Sequence, residues 1–249
     1  MIPFFRKIRK KMADDNRPLK YMRYAVGEIV LVVIGILIAL QINNWNEERR
    51  NRLKEKSYLM EIRKNLINDT IRINEIHEFN LRKDTVVRYV FRVFEKASSE
   101  NPDLLSFEDN MDIMGSYDSF SPSRTAFDNL MDVESLDIIS DLPMRIMLSN
   151  YYNTDFEKGT QEAVKLRTRK FAEYAIKYLI TKESVFEMTQ VTLKIKSRNN
   201  SKIYEDEIII GSLINMMVTT GFQNRILENT KDQIKEILVL LNEVNSTNQ

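Results

Sequence analysis

The clearest pattern along the chain is a run of apolar residues close to its start. From position 29 to position 40 every residue is apolar or glycine. Tyr24 and Trp45 bracket this run, and the helix between them would be roughly 31 Å long at about 1.5 Å per residue. A bilayer has a hydrocarbon core about 30 Å thick, with Tyr and Trp enriched at both of its surfaces. The pattern therefore predicts a transmembrane helix over residues 24–45, with Tyr24 and Trp45 as interfacial anchors.

The residues around the apolar run predict how it is processed and oriented. No small-x-small motif of a signal-peptide cleavage site follows it, so we expect an uncleaved signal anchor. Residues 1–24 carry eight Lys and Arg, against five in residues 49–56. Positive residues are enriched on the cytoplasmic side of membrane spans. We therefore expect the N-terminus in the cytoplasm and residues 46–249 on the other side of the membrane.

Residues 1–23 form a basic segment with an amphipathic pattern. In its first twelve residues the apolar side chains fall near one helical face, and the cations are Arg6, Lys7, Arg9, Lys10 and Lys11. Such a segment can lie among lipid headgroups, where anionic lipids bind it. A plain basic tail that only sets the topology is the alternative.

One stripe of the predicted span carries residues that recur every four positions. These are Gly27, Leu31, Gly35 and Ala39, and Glu28 lies beside them. Stripes of small residues let helix backbones approach closely in lipid, so this one predicts a helix-packing surface. For Glu28 three roles stay open: reaching the headgroups from a shallow depth, a contact between helices, and proton or ion chemistry.

Heptad spacing continues after the span and predicts a long helix over residues 46–97. The predicted a and d positions are Leu59, Ile62, Leu66, Asp69, Ile73, Ile76, Asn80, Lys83, Val87, Val90 and Phe94. Eight of these eleven residues are apolar, which predicts a helix packed along its whole length. The polar positions Asp69, Asn80 and Lys83 favour one helix of an intramolecular bundle over a strict two-stranded coiled coil.

The remainder of the chain predicts an all-α bundle. An acidic loop is expected over residues 98–121, followed by helices at about 122–133, 142–180, 205–220 and 222–244. The second of these helices is expected to begin at an Asp141 cap with proline in the first turn, and Gly221 is expected to end the third. Residues 185–204 fit either a strand or an interrupted helix, and the interrupted helix is slightly favoured. The last helix is long enough to pack back along the first and close the bundle.

Composition and charge remove several classes of function. The chain has no cysteine and one histidine, which excludes thiol catalysis, zinc–cysteine sites and multi-histidine metal sites. Eleven acids and one base lie in residues 100–141, and the basic stretch at 165–170 is expected to pair with them. There is no phosphate-binding loop and no basic, aromatic-rich face for nucleic acid. We therefore expect no catalytic, cofactor-binding or metal-binding residues, and no enzyme.

The N-terminal sequence resembles a known family. FFRKIRKK and then KYMRYAVGEIVLVVIGILIALQINNWNEERRN are similar to the N-terminal signature of an uncharacterised family of Gram-negative bacterial single-span membrane proteins that contain a domain of unknown function. Residues 123–152 resemble a family segment in which a short helix precedes a longer one ending in paired tyrosines. The resemblance implies an inner-membrane protein with a helical periplasmic domain. It implies no activity and no cofactor.

Two classes of function agree with these predictions. In the first, the protein is a structural or interaction protein whose span associates with another membrane helix, from a second protein or a second copy, and whose bundle docks a partner. In the second, the bundle is a sensor that signals through a separate subunit, because only about 23 residues are expected in the cytoplasm. A buried pocket with convergent polar groups would favour sensing, and a solid core would favour docking.

Overall fold

The computed structural model describes residues 18–97, 107, 109–180, 182–194 and 200–247. The chain divides into two units, Met1–Ser57 and Tyr58–Gln249. The predicted all-α class is confirmed, and the described residues contain no strand. The predicted lipid-binding cations Arg6, Lys7, Arg9, Lys10 and Lys11 lie outside the described residues, as does most of the first part of the acidic loop.

Seven α-helices are present in the described residues. They are α1 (Pro18–Ala97), α2 (Met111–Met114), α3 (Thr125–Val133), α4 (Leu142–Asn153), α5 (Thr160–Leu179), α6 (Lys182–Thr189) and α7 (Glu207–Thr247). Short 3₁₀ turns at Leu136–Ile138 and Asn200–Glu205 precede α4 and α7. The first unit contains the apolar part of α1, and the second unit contains the helical bundle.

The predicted heptad pattern sets the packing of the second unit. All eleven predicted a and d residues from Leu59 to Phe94 are buried, the three polar ones included. The buried residues form two apolar clusters. Leu59 to Ile76 pack with α3, α4 and the end of α7, whereas Val87 to Phe94 pack with α5 and the start of α7. Helix α7 therefore runs antiparallel to α1, as the sequence predicts for the last helix, and it also packs along α5.

The single helix predicted for residues 142–180 is wrong, because the chain breaks between Asn153 and Thr160. The carboxylate of Asp155 accepts hydrogen bonds from the backbone N–H groups of Glu157 and Lys158, and this competes with helix continuation. Gly159 then adopts a φ of +74°, a conformation that glycine reaches without strain. The predicted Asp141 cap is confirmed, since its side chain accepts from Met144 N at 2.7 Å.

The predicted helix end at Gly221 is also wrong. Residues 205–220 and 222–244 were expected as two helices, but α7 is continuous from Glu207 to Thr247. Glycine ends a helix through a positive φ, and among the described residues only Gly159 and Gln190 have one. Inside a helix, Gly221 costs about 1 kcal/mol relative to alanine, which the packed α7 tolerates.

One further boundary differs from the sequence prediction, and one ambiguous segment is resolved. Helix α3 begins at Thr125 and not at 122, and the N–H of Ser123, ahead of it, donates to Asp69. Over residues 185–204 the described positions contain the helix α6 and a 3₁₀ turn, in agreement with the favoured interrupted helix. The alternating residues 191–194 are neither helix nor strand.

Candidate functional site

The apolar part of α1 is the first candidate site, and it is described within its own unit. The helix is long and apolar enough to cross a membrane, and none of its most apolar 18-residue window is buried in the protein. Tyr24 and Trp45, the predicted anchors, are both exposed. Full exposure excludes a core helix, since an apolar helix of a soluble protein buries its side chains.

The predicted helix-packing stripe is uncovered along its length. A side chain built at Gly27 or Gly35 would meet no atom within 4 Å. Glu28, Leu31 and Ala39 are exposed as well. The stripe therefore offers open backbone to a second helix, which is the geometry that small residues permit in lipid.

The second candidate site is a buried polar seam inside the bundle, and the sequence prediction missed it. Residues 116–124, called the extended segment below, connect α2 to α3 without helix or strand; Phe120 is buried, and the other residues are half-buried or exposed. Of the three polar heptad positions of α1, Asp69 and Lys83 bind its backbone, and Asn80 binds α7. Side chains from α1, α5 and α7 bind this segment, mostly through its backbone. These buried polar side chains therefore find their hydrogen-bond partners in the segment's N–H and C=O groups.

Lys83 is a buried charged residue at one end of the seam. Its ammonium group donates to Ser116 O at 2.6 Å and to Thr168 Oγ1 at 3.0 Å. Only 1% of the residue is exposed, and no carboxylate among the described residues forms an ion pair with it. Burial lowers the pKa of Lys83 from its ordinary value of 10.5 to about 8, because the charged form loses hydration.

Two glutamines and an asparagine continue the seam. The side-chain amide of Gln161 accepts from Phe120 N at 2.5 Å and donates to Phe120 O at 2.9 Å. Gln223 donates to Asp118 O at 2.9 Å and accepts from Asn80 Nδ2 at 2.8 Å. These amides therefore join α1, α5 and α7 to the extended segment.

Asp69 and two tyrosines close the other end of the seam. Asp69 accepts from the Tyr151 hydroxyl at 2.7 Å and from Ser123 N at 2.9 Å. Burial and then the charge of Asp69 raise the pKa of Tyr151 and of Tyr152, so both hydroxyls stay protonated. The Tyr152 hydroxyl has no hydrogen-bond partner in the described structure. Arg124 stacks over the Tyr152 ring at 5.9 Å.

The expected pairing between the basic stretch 165–170 and the acidic block 100–141 is wrong for the described residues. Asp118 pairs with Arg72, Asp128 with Arg124, and Asp137 with Arg145. The cations of the stretch, Lys165, Arg167, Arg169 and Lys170, are exposed and form no ion pair with any described residue. The acidic residues instead pair with bases that lie near them in the fold.

Cavities in the second unit lie at helix edges. One of about 320 Å³ is lined by the α4–α5 connection and by α7. Its innermost amides, Gln161 and Gln223, already bind the backbone of the extended segment. Within the described ranges no three His, Asp or Glu side chains converge as a metal site would require.

A signal for the seam was present in the sequence. Asp69, Asn80 and Lys83 interrupt an otherwise apolar heptad, and buried polar residues need hydrogen-bond partners. Their partners lie 33 to 144 positions away and carry no periodic pattern, so spacing could not identify them.

Comparisons with known proteins place the chain in a family. A family model described as "Family of unknown function (DUF6090)" matches residues 28–217, which begin inside the predicted span and include most of the bundle. Neither the curated proteins nor the solved structures gave a match. The matched range covers the residues of both similarities noted in the sequence except those before residue 28. Because the match spans more than half of its length, the chain belongs to this family of unknown function, DUF6090.

Proposed function

We propose that this chain is a non-enzymatic, membrane-anchored interaction protein. Its span associates with partner membrane helices, and its bundle docks a partner outside the cytoplasm. The observation that carries the proposal is the exposure of the whole apolar part of α1, because that surface is stable only in lipid or against another helix.

The proposed location is a bacterial inner membrane, with the N-terminus in the cytoplasm and the bundle in the periplasm. The excess of Lys and Arg before the span supports this orientation. Arg6, Lys7, Arg9, Lys10 and Lys11 would bind anionic lipid headgroups beside the span.

Docking is favoured over sensing by the interior of the bundle. A ligand sensor needs a pocket with convergent polar groups that are available to the ligand. In this bundle the buried amides and Lys83 bind the chain's own extended segment. These contacts occupy the side-chain amides of Gln161 and Gln223 with the protein's own backbone, as a solid docking body requires, whereas Asn80 Oδ1 is buried without a partner in the described structure.

The span variants Gly35→Leu and Glu28→Leu test the proposal. Each is produced as a full-length tagged chain, and partners are recovered from native membranes after mild crosslinking and gentle solubilisation. We expect both variants to recover less partner, because a leucine at Gly35 fills open backbone and Glu28→Leu removes a polar contact. Val33→Leu adds a leucine on the opposite face and serves as the control. Equal recovery with all three variants would contradict an associating stripe.

A further inference from the structure

The outward side of α7 carries a surface that the proposed span interaction does not use. Residues 208–224 contain no charged side chain, in a chain of which 29% is charged. Four large apolar residues on this side are between 49% and 57% exposed, and with one glycine they form the outer face of α7: Ile208, Gly211, Ile214, Val218 and Phe222. An exposed apolar face of this kind ordinarily marks an interaction surface.

A groove beside this face carries positive charge. It has a volume of about 270 Å³ and lies between α5 and the start of α7. Arg167, Lys170 and Tyr174 line it from α5, and Ile208, Gly211 and Asn215 are among the residues that line it from α7. Glu207 stands at its end and is its one acidic lining residue. The two cations form no ion pair with any described residue.

The groove is open enough for a second backbone to approach. A side chain built at Gly211 would meet no atom within 4 Å. From Ile208 to Phe222 the outer face extends about 21 Å, or roughly four turns, which is the contact length of a short helix. Apolar side chains at this spacing form the ridge that an amphipathic helix covers with its own apolar side.

We propose that the outer face of α7 and the groove of Arg167 and Lys170 together bind an amphipathic helix of a partner protein that carries carboxylates along one edge of its apolar side. The apolar residues bind the partner's apolar side, and the two cations bind its acidic edge. Charge complementarity selects this occupant, because the cations lie on one side of the apolar face and no base lies within residues 208–224. A membrane-surface helix would instead carry bases along its own polar flanks.

This inference rests on the proposed docking function and names its surface. The test uses the full-length chain in lipid nanodiscs and two labelled peptides of about three heptads each, both with leucine at a and d. One peptide carries glutamate at e and g, and the other carries lysine there. Fluorescence anisotropy measures binding, and empty nanodiscs correct for partition of the peptides into lipid.

Two matched double variants distinguish an effect of the groove cations from an effect of the protein's net charge. Arg167→Glu with Lys170→Glu reverses the cations of the groove. Lys165→Glu with Arg169→Glu makes the same change in net charge on the opposite side of α5, away from the groove. All four residues are exposed, so both variants should fold, which circular dichroism checks.

We expect the acidic peptide to bind wild type about tenfold more tightly than the basic one, because two cations face the bound edge. The groove variant should lose that preference, and the opposite-side variant should keep it. Val218→Glu should abolish binding of both peptides, whereas Val239→Glu, also on α7 and equally exposed, should not.

Three results would overturn the inference. They are no binding of the acidic peptide to wild type, equal binding of the two peptides, and equal loss of preference in both double variants. A dimer seen by mass photometry that Val218→Glu dissociates would also overturn it, since the occupant would then be a second copy. In each of these cases the proposed function would still be supported if Gly35→Leu lowered the recovery of a partner from native membranes.

Discussion

The hydroxyl of Tyr151 donates a 2.7 Å hydrogen bond to Oδ2 of Asp69, across 82 positions of the chain. The other oxygen of the same carboxylate accepts from Ser123 N. One buried side chain of α1 thus positions both α4 and the extended segment between them. A buried carboxylate is tolerated only when its oxygens are hydrogen-bonded, so each donor contributes to stability.

Replacing each of the two adjacent tyrosines by phenylalanine tests this relationship. Tyr151→Phe removes a donor to buried Asp69 and should lower the free energy of unfolding by about 1–3 kcal/mol. Tyr152→Phe removes a hydroxyl that lacks a partner in the described structure, so it should be neutral or stabilising. Urea unfolding of the full-length protein in detergent, followed by circular dichroism, measures both. Equal effects of the two variants would contradict the role of Asp69.

Lys83 makes stability depend on pH in the alkaline range. Its pKa is about 8 in the folded protein and near 10.5 when unfolded, so between these values the unfolded chain binds more protons. The free energy of unfolding should therefore rise with pH across that window, by about 3 kcal/mol at most. Lys83→Met should remove this rise, because methionine does not titrate.

The quantity to measure is the difference in the free energy of unfolding between wild type and Lys83→Met. Urea unfolding at several values between pH 7 and pH 10.5 gives this difference. Taking the difference removes the titration of other groups. Lys165→Met, at an exposed position of α5, is the control and should follow wild type at every pH. A difference that does not change with pH would show that Lys83 is not desolvated.

Asp206 joins the start of α7 to α5. It should therefore contribute to the stability of the apolar cluster that Val87 to Phe94 form with these two helices. It accepts from the backbone N–H groups of Ile208 and Ile209, and also from Lys177 at 2.6 Å and Tyr178 at 2.5 Å. Burial alone would raise the pKa of Asp206, but these hydrogen bonds outweigh it and lower the pKa to about 2. Its stabilising effect is therefore complete above the unfolded pKa, near 4, and is lost as the pH falls toward 2.

Asp206→Ala should cost about 0.5–2 kcal/mol at neutral pH through loss of the helix cap, and more if the Lys177 contact contributes. The loss should shrink between pH 4 and pH 2, where the wild-type carboxylate takes up its proton. Asp232→Ala, on the exposed side of α7, is the control and should change stability little. A loss from Asp206→Ala that is unchanged at pH 2 would argue against the pKa shift.

Sequence periodicity predicted the buried positions of α1 but not their purpose. The heptad spacing identified Asp69, Asn80 and Lys83 as facing the interior, and all three are buried. Their partners lie in residues 116–124, an extended segment with no spacing pattern, or on helices far along the chain. Contacts between distant segments depend on the complete fold, which local pattern does not contain.

The span and the outer face of α7 are both exposed apolar surfaces, but the sequence predicted only the first. A transmembrane helix over residues 24–45 was predicted because the apolar run and the flanking Tyr24 and Trp45 together match the dimensions of a bilayer. The uncharged residues 208–224 were equally visible, but burial inside a bundle accounts for such a run. Only the exposure of Val218 and its neighbours in the structure identifies an uncovered face.

The sequence prediction placed a helix end at Gly221 and none at Gly159, the reverse of the structure, and their replacement by alanine should have opposite effects. Gly159 has a φ of +74°, where an L side chain is strained, so Gly159→Ala should lower the free energy of unfolding by about 1 kcal/mol or more. Gly221 lies inside α7 with open space around it, so Gly221→Ala should raise that energy by about 0.5–1 kcal/mol. Thermal and urea unfolding of both variants provide the comparison, each variant serving as the other's control for the loss of a glycine. If both substitutions changed stability in the same direction, the α4–α5 break at Gly159 or the continuity of α7 through Gly221 would be wrong.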